Sequence, residues 1–207
     1  MALTENEVEC HWKTFVRDGE YPNAGIVVDC RGMGAKRSWS QLRGVRGEIV
    51  RLHAPEIELK CMLRLLHPRY PVYIIPRAEG RLVVGATSIE SDDRSAVSVR
   101  GALELLTSAY SVLPALAEAR ILEFNTQVRP ALPGNTPAIH LDRQRSVLHI
   151  NGLYRHGFLL TPAITEEVLA LLSVEKPSTP AEDWSYFGDE RAEVIFAPIQ
   201  DEVNACL

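Results

Sequence analysis

The chain has 207 residues, 46% of them hydrophobic and 24% charged, with a formal net charge of −5. This is globular composition with enough apolar residue for one sizeable core or two small ones, and it excludes a disordered chain. Mild acidity without a Lys/Arg-rich run argues against a nucleic-acid partner, and no apolar run is long enough to span a bilayer, so no membrane partner is expected.

Residues 8–16 (VECHWKTFV) read as a first strand, and His11 falls within it. Residues 26–30 (IVVDC) are a second, running into Arg31-Gly32-Met33-Gly34, where small residues let a ligand or another backbone approach closely. A β-rich stretch follows. Residues 47–52 alternate apolar and polar, residues 62–66 and 72–75 are short strands, and Ala78-Glu79-Gly80 turns into a strand over 81–86. The period then changes. Over 98–112 the positions Val99, Leu103, Leu106 and Tyr110 recur at helical spacing, with Ala102, Leu105 and Ala109 on the same side, and Pro114 stops the helix. Residues 119–128 are extended again, and two short strands are expected around 138–141 and 146–150. A last helix is expected from Thr161 as N-cap, with Pro162 at its first position and Ile164, Val168, Leu171 and Leu172 as its apolar face. After Ser173, Lys176-Pro177-Ser178-Thr179-Pro180 reads as a linker to an aperiodic tail. The class is α+β with a largely antiparallel sheet.

Cys10, Cys30, Cys61 and Cys206 form no C-x-x-C pair, and no Cys/His cluster has metal spacing, so no metal site is expected. Residues 1–9 are polar and acidic without a signal-like apolar segment. Together with free thiols this points to a reducing cytoplasm.

Four blocks in order resemble the C-terminal half of the glycine oxidase / D-amino-acid oxidase family of FAD-dependent oxidases: VVDCRGMGAK (27–36), LRGVRGEIVRL (42–52), YPVYIIPRAEGRLVVGAT (70–87), and VRPALPGNTPAI (128–139) taken with GLYRHGFLLTPAITEEV (152–168). The third resembles the family's Y-I-x-P-R-x-x-G-R-x-x-x-G-x-T hairpin. The likeness is greatest to the glycine oxidases of thiamine biosynthesis. It implies a DAO-type substrate domain, mostly antiparallel, joined to the C-terminal part of an FAD-binding α/β domain. The implied division is 1–43 as a remnant of the FAD-binding domain, 44–120 as the β-rich substrate-binding domain, 121–172 as the return to the FAD-binding domain, and 173–207 as linker and tail.

The resemblance also assigns roles. Arg129 would hold the substrate carboxylate, a task suited to the planar fork of a guanidinium; the alternative is a structural Arg at a strand end. Tyr73 would offer its hydroxyl to the substrate, or is a half-buried strand tyrosine. Arg155 would assist at the substrate, and Gly32 with Leu153, Tyr154, Arg155, His156, Gly157, Phe158 and Leu159 would face the flavin ring; otherwise Gly157 and Pro162 make only a tight entry into a helix. No side chain is singled out as a catalytic base. Gln127 and Val128 stand where the family has glycine and leucine.

The family's opening strand, G-x-G-x-x-G and helix do not occur in these residues, so FAD is expected to bind weakly or not at all without that N-terminal lobe. The implied activity is oxidation of a small amino acid or amine such as glycine, with hydride transfer to FAD. Its rivals are a non-catalytic remnant and one half of a split flavoenzyme, whose partner would be a separate N-terminal half-chain or a second copy.

Overall fold

The computed structural model of the protein describes residues 8–17, 20–21, 25–67, 71–142 and 144–173. The expected linker and tail beyond Ser173, and the Tyr70 that opens the third motif, lie outside them. The elements are β1 (Val27–Asp29), β2 (Arg43–His53), β3 (Leu63–Leu65), β4 (Val72–Arg77), β5 (Arg81–Gly85), β6 (Ile89–Glu90), α1 (Val99–Val112), β7 (Arg120–Ala131), β8 (Ala138–Asp142), β9 (Val147–Asn151) and α2 (Gly157–Ser173). Short 3-10 turns lie at Gly32–Ala35, Pro114–Glu118 and Pro133–Asn135.

Strand β2 organises the larger sheet. β7 runs antiparallel along its whole length, with a bulge between Arg51 and Leu52, and β5 pairs antiparallel with its second half. β4 and β3 extend the sheet beyond β5, and β6 pairs at Arg46. Alternation sorts the side chains by face. Val50, Leu52, Val72, Ile74, Leu82 and Val84 point to one side and meet Leu105 and Ala109 of α1 there. The second sheet, in the order β1-β9-β8, joins β1 parallel to β9 and β9 antiparallel to β8. Ile164 and Val168 of α2 pack on its Ile139 and Leu148. A small cluster of Trp39, Leu42, Leu132 and Ala138 lies among the segments linking the sheets.

Three expectations are corrected. Residues 8–16, His11 included, contain no strand; Trp12 and Phe15 are exposed, and an alternating segment without a ladder partner has no reason to stay extended. Helix α1 is capped by Ser98, whose Oγ accepts from Gly101 N (3.0 Å), but it buries Gly101, Leu105 and Ala109. Leu105 and Ala109 keep their expected side and Leu106 packs beside them, while Val99, Leu103 and Tyr110 of the expected stripe face solvent. Helix α2 begins at Gly157, four residues before Thr161. The preceding loop turns through Tyr154 (φ 51°), and His156 O accepts from Leu160 N, so the helix nucleates earlier. Thr161 Oγ1 instead donates back to Gly157 O (2.5 Å), and Pro162 lies inside the helix, one turn from its start.

The end of β1 is pinned by charge. Burial alone would raise the Asp29 carboxyl, but Arg31 donates to it from its backbone N (3.1 Å), Nε (2.9 Å) and Nη2 (2.7 Å), and Tyr21 from Oη (3.0 Å). The carboxyl falls from 3.8 to about 2. His149 Nδ1 lies 3.2 Å from Asp29 Oδ2, within ion-pair range when protonated, but does not point along a hydrogen bond.

Two outcomes are expected. Leu105 is 1% exposed and Leu103 is 58% exposed on the same helix, so Leu105→Ala costs about 2–5 kcal/mol while Leu103→Ala costs less than about 0.5, read from urea unfolding midpoints. A carboxyl whose folded pKa lies below its unfolded value contributes stability above the unfolded pKa and loses it on acidification. The Asp29 contribution, about 2 kcal/mol, is therefore complete above pH 4 and lost between pH 4 and pH 2. Asp29→Asn flattens the unfolding free energy across that window; an unchanged acid profile would contradict the assignment.

Candidate functional site

The face of the large sheet opposite α1 carries no helix among the described residues. By register it presents Gly47, Ile49 and Arg51 of β2, Asn125, Gln127 and Arg129 of β7, Val83 and Gly85 of β5, and Tyr73 and Ile75 of β4. Two of these positions are glycine, and each glycine is a seat. A β-carbon on Gly47 would strike the Arg129 guanidinium, so that side chain lies flat across β2. A β-carbon on Gly85 would stand 2.6 Å from Tyr73 Oη and 2.8 Å from Ile49 Cγ2, so the phenol lies flat across β5. Ile49 pairs with Gly85 and is two residues from Gly47. The seats are therefore within about 8 Å of each other at ordinary strand spacing.

Arg129 is half-buried, and its Nη1 donates to Thr87 O (3.2 Å). No carboxylate lies in salt-bridge range of Arg129 or Arg155 among the described residues. Burial pushes the Arg129 guanidinium below its ordinary pKa, and the neighbouring Arg155 pushes the same way; the Tyr73 and Tyr154 phenols oppose them. The guanidinium stays a cation at any working pH. Its free donors and those of Arg155 thus form an anion site without an anion of its own.

The segment between β9 and α2 closes one side. Tyr154 N donates to Pro130 O (3.0 Å), tying this loop to the residue after Arg129, and Tyr154 Oη lies 3.1 Å from Ser88 Oγ. Gly152 (φ 81°) is required, because a β-carbon there would crowd Leu132 as well as strain the backbone. Gly32 (φ 57°) lies next to Pro130, and its carbonyl accepts from Asn151 Nδ2 (2.9 Å). His156 meets Tyr154 edge to face. Leu153 turns away and packs on the α2 core. Gly157 opens α2, whose first-turn N–H groups have no helical acceptor. Phe158 and Leu159 project into solvent.

The structure thus brings together Arg129, Tyr73, Tyr154 and Arg155, and leaves Leu153, Phe158 and Leu159 apart; Gly32 lies beside Pro130 and Gly157 beside Leu153. An open cleft of about 390 Å³ runs from Arg155, Thr87 and Ser88 to Arg100 and Glu104 of α1, and Arg129 and Tyr73 do not line it. We take the open sheet face as the site, since the uncompensated guanidinium lies there. Sequence reasoning missed Gly47, Gly85, Thr87 and Ser88. A glycine inside an alternating strand was the available signal for the first two.

The profile of FAD-dependent oxidoreductases of the DAO family matches residues 3–171. The chain belongs to that family. It is 48% identical over 150 residues to a thiamine biosynthesis oxidoreductase ThiO of Rhizobium etli, covering 72% of this chain and 45% of that protein. It is 35% identical over 126 residues to a glycine oxidase of Bacillus licheniformis, covering 59% and 33%. Among solved structures, glycine oxidase of Geobacillus kaustophilus superposes with a TM-score of 0.64 at 27% identity, over 76% of this chain and 44% of that one. The chain therefore spans less than half the length of these family members. The fold is of the DAO type, with mixed sheets and two helices. No described helix is long and apolar enough to cross a membrane.

Gly47→Ala tests the seat directly. The guanidinium can swing out, so Tm is expected to stay within about 5 °C of wild type, while a crystal structure of the variant shows Arg129 displaced from β2. An unmoved Arg129 would contradict the packing described.

Proposed function

We propose that this chain supplies the amino-acid-binding half of an FAD-dependent oxidase acting on a small amino acid or amine such as glycine. The observation that carries the proposal is Arg129, a half-buried cation on an open sheet face with no carboxylate in range among the described residues. In this reading residues 44–120 carry most of the substrate face with β7 of the 121–172 segment paired onto it, and residues 1–43 and the rest of 121–172 belong to the flavin-binding side.

Arg129 holds the substrate carboxylate through the donors that Thr87 leaves free, and Arg155 adds positive potential beside it. Tyr73 Oη, above Gly85, donates to the substrate's carboxylate or packs against its α-carbon. Fixing the carboxylate orients the α-hydrogen toward the side on which Gly32 and the 152–157 loop lie. FAD, when bound, would supply the acceptor for that hydride, with dioxygen as the terminal oxidant that becomes peroxide. Its ring side fits the residues present. Gly32 and Gly152 bring backbone close without side chains, and the Tyr154 to Gly157 turn leads into unpaired N–H groups that suit electron-rich ring atoms. Nothing here offers the pyrophosphate a glycine-rich cradle, so tight FAD binding draws on residues beyond those described.

A second reading, that the chain works with a dinucleotide-binding lobe carried on another polypeptide, is favoured by the exposed Phe158 and Leu159 and by β1, which is paired on one side only.

The test is the visible absorption of the purified chain with added FAD, followed by glycine-dependent peroxide release. The expected result is flavin absorption that strengthens when an N-terminal half from a family member is supplied, with kcat/KM lowered about 100-fold or more in Arg129→Ala. A chain that never acquires flavin absorption, alone or complemented, is a non-catalytic remnant, and the proposal fails.

A further inference from the structure

Arg129 is not fixed by a counter-charge, so another interaction must set where its guanidinium points. The geometry points to Thr87 and Glu48 as positioning residues for Arg129, an inference that rests on Arg129 being the carboxylate clamp. Thr87 lies just beyond β5 and is buried. Its N–H donates to Glu48 O (3.2 Å). Its Oγ1 accepts from Glu48 N (2.9 Å) and donates to Glu48 Oε2 (3.3 Å). Its carbonyl accepts from Arg129 Nη1 (3.2 Å). One residue thus grips β2 through three hydrogen bonds and the clamp through a fourth.

The hydroxyl sets the direction. With its lone pair turned to Glu48 N and its hydrogen to Oε2, Thr87 is confined to one rotamer and one backbone orientation, and its carbonyl is aimed at β7. Glu48 is in turn immobile. Its side chain is fully buried, and Oε1 accepts from Arg46 Nε (3.0 Å), Arg46 Nη2 (2.7 Å) and Ser98 N (3.3 Å) at the cap of α1. Gly101 leaves room for Oε2, since a β-carbon there would overlap it. A carboxylate taken fully out of water costs heavily unless every oxygen is served. An apolar residue would hold the helix to the sheet as well. What an apolar residue could not do is orient the Thr87 carbonyl.

The test titrates the full chain with sodium acetate and follows the Arg129 Nε–Hε and neighbouring amide resonances by NMR. It uses wild type, Arg129→Ala, Thr87→Val, Thr87→Ser and Glu48→Gln. Wild type is expected to bind acetate in a way that Arg129→Ala abolishes. Thr87→Val, which keeps the shape and removes the hydroxyl, weakens that binding about 5- to 10-fold and lowers the Nε heteronuclear NOE; Thr87→Ser restores both to within about twofold of wild type. Arg129-dependent binding that is unchanged in Thr87→Val overturns the positioning role and leaves the clamp standing. Acetate binding that is absent, or equal in Arg129→Ala, overturns the clamp and this inference together. If Thr87→Val does not fold, Glu48→Gln decides: it too is expected to loosen the Arg129 Nε, and unchanged acetate affinity and Nε order in it overturn the inference.

Discussion

The site depends on a guanidinium lying flat over a glycine. A cation that is half-buried and has no carboxylate beside it has given up part of its hydration without a matching charge in return. Such a group is stable only if the surrounding structure holds it there and if an anion can arrive. Gly47 provides the space and the Thr87 carbonyl provides the hold. Arg155, the nearest other cation, makes the local potential more positive still. In the proposed function a substrate carboxylate completes this arrangement, which sets Arg129 apart from the arginines closed on the fold's own carboxylates. Arg31 is closed on Asp29, and Arg46 on Glu48 and Asp93.

The contrast with Arg46 shows how one strand serves two faces. Alternation sends Arg46 and Glu48 toward α1 and Gly47 toward the open side. Toward α1, the ion pair is sealed by Ser98, Asp93 and the carbonyls of Asp93 and Ala96, so the loop leading into α1 is welded to β2. Deleting either partner would leave a buried charge alone, a penalty of about 3–5 kcal/mol. On the open side the same strand contributes no side chain at all at position 47. The rigid, charged side fixes the backbone, and the bare side exploits that fixed backbone as a seat.

Much of this could be read from the chain, and the failures have physical reasons. The Tyr73 to Thr87 hairpin was legible because strand alternation, the Ala78-Glu79-Gly80 turn and the motif spacing all agree. Arg129 was legible as a candidate through resemblance, but its seat was not, since a seat is made by the absence of a side chain on a neighbouring strand. The helix over 98–112 was found with Leu105 and Ala109 on its expected side, but without its Ser98 cap, and part of the named stripe faces solvent. Apolar periodicity drew the stripe too wide: Gly101, Leu105 and Ala109 face the sheet, with Gly101 against the Glu48 carboxylate, while Val99, Leu103 and Tyr110 stay exposed. Residues 8–16 looked like a strand because strand propensity reports a fit to a sheet, and no sheet is there to be fitted. The start of α2 was misplaced because Thr161 and Pro162 make a good cap signal locally, while the Tyr154 turn upstream had already set the helix direction.

The distribution of apolar surface bears on how such a site could work. The core under α1 is closed, and its substrate-facing side needs nothing further to keep its shape. The smaller sheet is less complete. Among the described residues β1 has a strand on one side only, and in a parallel arrangement both faces are ordinarily covered. Val28 on that strand and Phe158 and Leu159 at the start of α2 are exposed. These residues flank the loop that carries Tyr154 and Arg155. Apolar area there, if covered, would contribute at about 25 cal/mol per Å². In the proposed function, the substrate face is preformed by β2, β4, β5 and β7, whose ladders need no further element to hold them.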